Sequence, residues 1–93
     1  MVKHIVTWQM KEDVSVEQKQ EMKRQLEALH GKIAELIKIE VGIDFDNGTM
    51  SLYSEFAAPK DLAAYQVHPA HQAVVGFVKP LVAARSVCDY MSR

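Results

Sequence analysis

The chain has 93 residues, with 12 acidic and 11 basic side chains and a net charge of −1. That length suits a single domain over residues 1–93, and so balanced a charge argues against nucleic acid or an anionic membrane as partner. The single cysteine, Cys88, excludes an intramolecular disulfide and fits a reducing compartment. The sequence opens without a signal-like leader, and no apolar run reaches the ~20 residues that span a bilayer, so the expected location is the cytoplasm.

The first element expected is a strand over residues 2–10. Val2, His4, Val6, Trp8 and Met10 share one face, and Lys3, Ile5, Thr7 and Gln9 share the other. The first face is the more apolar and should meet the core, with His4 in its middle. A polar turn leads to a helix over residues 15–30. Ser15 with Gln18 three residues on has capping-box spacing. Met22, Leu26, Leu29 and Ile33 follow at helical spacing on one face, and His30-Gly31 reads as a C-terminal stop.

Residues 37–46 alternate as a strand, with Ile37, Ile39, Val41, Ile43 and Phe45 on one side. Asn47-Gly48 predicts a two-residue type I′ turn, since both residues tolerate positive φ. The return strand covers residues 49–57, with Met50, Leu52, Ser54 and Phe56 toward the core. Pro59 opens a second helix to residue 66, and Pro69 opens a further helical segment to about residue 79, which Pro80 ends. Residues 86–91 are the last strand. The order β-α-β-β-α-β predicts an α+β, ferredoxin-like fold with helices on one face of an antiparallel sheet.

The opposite sheet face would carry Lys3, Ile5, Thr7, Gln9, Lys38, Glu40, Ser51, Tyr53, Cys88 and Tyr90. This mixture is too polar for a core and too apolar for a bare wet surface. A homodimer pairing sheet on sheet would cover it, and a monomer with a half-polar sheet is the alternative.

Chemistry-bearing residues gather in residues 62–80, which hold two of the four histidines and one of the three tyrosines among aliphatic neighbours. Polar rings in an apolar segment are costly unless they find partners. His68 before Pro69 has a structural reading, ending one helix and starting the next. His68 and His71 are also spaced as two metal ligands could be, with His4 and Asp89 as the completions, but no third ligand lies nearby in sequence and no metal or other cofactor is expected. Cys88, on the face away from the helices, reads as packing.

His4 in the first strand, the run Tyr65-Gln66-Val67-His68-Pro69-Ala70-His71 and Asp89-Tyr90 in the last strand resemble the stress-responsive dimeric α/β-barrel (Dabb) family over the whole chain. The resemblance implies a ferredoxin-like protomer whose sheet pairs with a second copy into a barrel, and a small pocket between sheet and helices in each protomer. It points to His71, His4, Tyr65 and Asp89 as site residues, with Asp89 orienting the His71 ring, and to Val6, Trp8, Leu26 and Met50 as pocket lining. A His–carboxylate pair fixes the imidazole tautomer and raises its basicity, as a general base requires. A plant polyketide cyclase of the family, an aldol cyclase, uses the equivalents of His4, Tyr65 and His71. Met50 and Leu26 replace a histidine and a tyrosine of that enzyme, which implies a drier pocket, so the pocket carries over and the reaction does not.

Three readings follow. The first is a homodimer that binds a small organic ligand and uses histidine acid–base chemistry. The second is a non-catalytic stress-response or structural dimer. The third is a cofactor-free, monooxygenase-like enzyme on the same fold.

Overall fold

Apolar–polar alternation builds the centre of the sheet in the computed structural model, which describes residues 1–92. Strand β1 (Val2–Met10) buries Val2, His4, Val6, Trp8 and Met10 on one side. It lies between two antiparallel neighbours, β3 (Thr49–Phe56) and β4 (Val82–Met91), and β2 (Lys38–Ile43) flanks β3, giving the order β2-β3-β1-β4. With its helices this is the ferredoxin-like α+β arrangement that the element order predicts. None of those helices is long and apolar enough to cross a membrane, among the described residues.

Helix α1 (Val16–Glu27) starts at the expected capping box. The Gln18 amide donates to Ser15 Oγ at 3.1 Å, and the Ser15 amide donates to Gln18 Oε1 at 2.9 Å. Met22 and Leu26 are buried on its inner face. The periodicity predicts helix to residue 30, but α1 stops at Glu27. Leu29 and His30 then bond to carbonyls only three residues back, and Gly31 adopts φ 94°. Leu29, Ile33 and Leu36 are still buried, so successive tight turns deliver the same side chains to the core while reversing the chain toward β2.

The end of α1 is tied to the outer edge of β2. Lys23 Nζ donates to Glu27 Oε2 at 2.7 Å and to the Val41 carbonyl at 2.6 Å, and the Val41 amide donates to Glu27 Oε2 at 3.0 Å. One ion pair thus satisfies both backbone groups of the middle residue of an edge strand.

The hairpin is not the expected type I′ turn. That turn needs positive φ at both central residues, and Gly31 and Gly48 alone among the described residues have it. β2 ends at Ile43, so the loop is longer. Asp44 Oδ1 accepts the amides of Asp46 at 2.7 Å and Asn47 at 2.9 Å, while Asn47 Oδ1 accepts the Thr49 amide at 3.0 Å. Aspartate and asparagine bonding their own backbone outcompete the tighter turn. Phe45, expected on the apolar side of the strand, lies in this loop and is 96 % exposed.

After β3, helices α2 (Pro59–Val67) and α3 (Pro69–Val78) meet at His68. Its backbone is extended, at φ −65° and ψ 136°, as a residue before proline prefers, and its Nδ1 accepts the Ala70 amide at 3.0 Å. His68 is therefore an N-cap. A 3₁₀ turn (Lys79–Leu81) holds Pro80, and β4 begins directly at Val82, four residues before the expected start. Val82 is half-buried, and β4 from Ala83 to Met91 is exposed on both faces.

Candidate functional site

Between the sheet and its helices lies a cavity of about 440 Å³, within the range of sites that hold small organic molecules. From the sheet, β1 contributes His4, Val6 and Trp8 at alternate positions, and β3 contributes Leu52. Leu26 of α1, Tyr65 of α2 and His71, Val75 and Val78 of α3 form the opposite wall, while Lys79, Ala83, Ala84 and Arg85 line the exposed rim. The interior is thus mainly aliphatic and aromatic, with three polar rings set into it.

Each ring has a defined role. His4 is 3 % exposed, and its Nδ1 forms a short contact with the Asp89 carboxylate. A carboxylate only accepts, so Nδ1 of His4 carries a proton and Nε2 is the nitrogen left outside that contact. His71 Nδ1 likewise donates to the Gln66 carbonyl at 3.1 Å, which leaves Nε2 as the basic nitrogen of that ring. Burial, more than its neighbours His4, Arg85 and His68, pulls the His71 pKa below the usual histidine value, so this imidazole is neutral at neutral pH. Tyr65 is 1 % exposed, and burial pushes its phenol up to about 12. It keeps its proton and serves as a donor. The Tyr65 ring packs 4.4 Å from that of His71 and 6.4 Å from that of His4, between centroids.

Two expectations are corrected by this geometry. Asp89 engages His4, not His71. The two are cross-strand partners on β1 and β4, so their side chains leave the sheet on the same face within immediate reach. His71, held by Gln66 and packed at a tilt against Tyr65, is oriented from its own helix pair instead. Met50 is fully buried in the core and does not line the cavity, where Leu52, two residues on along the same face of β3, stands instead.

Of the other expected lining residues, Val6, Trp8 and Leu26 lie at the cavity. Arg85 and Lys79 went unread in the sequence. Register was the available signal for Arg85, which pairs with Trp8 and so shares its face. No group of three histidine, cysteine, aspartate or glutamate side chains is placed to hold a metal, among the described residues.

The far face of the sheet is organised around Tyr53. Its hydroxyl donates to Glu55, and the Lys3 and Lys38 ammonium groups each stand 5.8 Å from its ring centre. Ile5 and Tyr53 are half-buried, while Cys88 and Tyr90 are exposed.

No curated protein matches this chain significantly. Among solved structures, it is similar to a dimeric ferredoxin-like protein of unknown function from Bacteroides fragilis, at 34 % identity and a TM-score of 0.83, over 98 % of this chain and 95 % of that one. A dimeric ferredoxin-like protein of unknown function from Thermobifida fusca superposes with a TM-score of 0.87 at 23 % identity, over 98 % and 90 %. A hydroxynitrile lyase from Passiflora edulis shares the fold, with a TM-score of 0.87 at 20 % identity, over 99 % and 93 %. The model of the stress responsive A/B barrel domain family, Dabb, matches residues 2–92, and the chain belongs to that family.

Proposed function

We propose that this chain acts as a homodimer that binds a small organic molecule in the cavity and moves a proton on it. One observation carries the reading: two imidazoles, each held through Nδ1, and one protonated phenol are set into a cavity whose interior is otherwise apolar. A neutral histidine near its working pH is the usual general base, and a phenol that holds its proton stabilises an oxyanion by donating to it. His71 Nε2 takes a proton from a carbon next to a carbonyl, giving an imidazolium and an enolate. Tyr65 donates to the enolate oxygen, and His4, fixed by Asp89, accepts from a hydroxyl or hydrated carbonyl of the ligand. The imidazolium returns its proton to the same carbon or to a new position.

The dimer is supported by the half-buried Ile5 and Tyr53 on the far face and by the dimeric state of the Bacteroides fragilis relative. Proton exchange tests the chemistry without knowledge of the natural substrate. The wild type should catalyse saturable exchange of the α-protons of phenylacetone with D2O, followed by NMR. His71→Gln should lower that rate by about 10²–10⁴-fold, the usual contribution of a positioned base. An unchanged rate in the variant would remove His71 from the chemistry.

A further inference from the structure

The cavity wall has one feature that proton transfer does not use. Its rim carries two cations, Lys79 at the end of α3 and Arg85 on β4, and its lining includes no aspartate or glutamate. The chain as a whole carries a net charge of −1, so a wall bearing two positive charges and no negative one is a local departure. The nearest carboxylate of β4 on this face, Asp89, is already held by His4. Neither Lys79 nor Arg85 has an ion-pair partner among the described residues. Arg85 pairs in register with Trp8, which directs its side chain to the helix-covered face. It is also close enough to His71 to disfavour a second positive charge there.

We infer that the ligand of this cavity is a small organic acid, whose carboxylate sits at the rim between Lys79 and Arg85 while its apolar body fills the space beside Trp8, Val75 and Val78. This assignment rests on the proposed pocket and names its substrate class. A guanidinium and an ammonium offer charge-assisted donors to a carboxylate, and the apolar wall takes the remainder. Anchoring the acid at the rim also sets the opposite end of the molecule among His4, Tyr65 and His71, where a carbonyl or hydroxyl would be handled. Proximity of this kind turns a generic base into a selective one.

The test compares 3-phenylpropionate with its neutral isostere 3-phenylpropanamide, by calorimetry and by the fluorescence of Trp8, the one tryptophan of the chain and part of the cavity wall. The acid should bind about tenfold more tightly at low salt, and the preference should shrink as salt screens the exposed rim. The double variant Arg85→Gln, Lys79→Gln, checked for folding by circular dichroism, should lose the preference, the acid then binding no more tightly than the amide. Equal binding of acid and amide by the wild type overturns the acid class and leaves the pocket reading standing. A preference that survives in the double variant overturns the assignment to Lys79 and Arg85. Failure of both probes to bind saturably overturns this inference together with the pocket on which it rests.

Discussion

Truncating Asp89 to alanine isolates the contact that joins the buried imidazole of β1 to the outermost strand. His4 is 3 % exposed, so removing its acceptor strands a donor in the interior. An orphaned buried donor costs ~1–3 kcal/mol. The Asp89 side chain is 38 % exposed, so water can approach from that side once the carboxylate is gone, and the lower half of the range applies, about 1–2 kcal/mol. For a domain of this size each kcal/mol lowers the melting temperature by roughly 4–8 °C, so Asp89→Ala should melt roughly 5–15 °C below wild type. Asp89→Asn keeps an acceptor oxygen and should lose less. Chemical denaturation of a double-mutant cycle gives the decisive reading. Asp89→Ala with His4→Gln should couple by about 1 kcal/mol, whereas Asp89→Ala with His71→Gln should be additive within ~0.5 kcal/mol. An Asp89→Ala protein as stable as wild type, or coupling to His71 in place of His4, would refute the pairing.

Further outcomes follow from other features. Gly48→Val should destabilise by ~1–3 kcal/mol, because Gly48 has φ 75° and an added Cβ would lie 3.3 Å from Lys19 Nζ; a melting curve equal to wild type would refute this. Tyr65 should ionise near pH 12 in an absorbance titration compared with that of Tyr65→Phe. Its folded pKa lies above the unfolded value of 10, so stability should fall as pH rises from about 10 to about 12, and ionisation of Tyr65 near 10 would contradict the burial. His71 has a lowered folded pKa, so the unfolded chain takes up its proton first as pH falls through 6.5; stability should decline there, and the acid limb of exchange activity should lie below 6.5. An NMR titration of the His71 ring at or above 6.5 would contradict this. Tyr53→Glu should convert the proposed dimer to monomer in sedimentation, since it would remove the ring's apolar area and bury a second carboxylate beside Glu55 at the interface, and a fully dimeric variant would mean that pairing uses another face.

What could be read from the sequence was whatever a periodic pattern enforces. β1 alternates so cleanly that its bounds and buried face follow directly, and Ser15 with Gln18 marks the start of α1 because a cap is a local chemical event. The end of α1 was hidden, since Leu29 and Ile33 keep helical spacing while the backbone turns. The start of β4 was hidden for the opposite reason. Ala83 and Ala84 give no contrast between faces, and the strand is exposed on both. Losing those residues removed the register that brings Arg85 opposite Trp8. The Asp89 partner was misread for a related cause. Strand neighbours in an antiparallel pair are determined by register, and His71 was favoured only through the family resemblance.

The Lys23–Glu27 lock on Val41 has a consequence for assembly. Strand-by-strand growth needs every molecule to offer two open edges, one to receive a neighbour and one to pass the chain of pairings onward. Here the middle rung of β2 is already occupied by a side-chain pair from α1, while β4 retains an open edge. In the language of polymer chemistry the fold is monofunctional. Pairing along β4 therefore cannot propagate from molecule to molecule, and the proposed dimer is left to form through the far sheet face around Tyr53. Lys23→Ala together with Glu27→Ala would raise the valence to two and remove that chain stop.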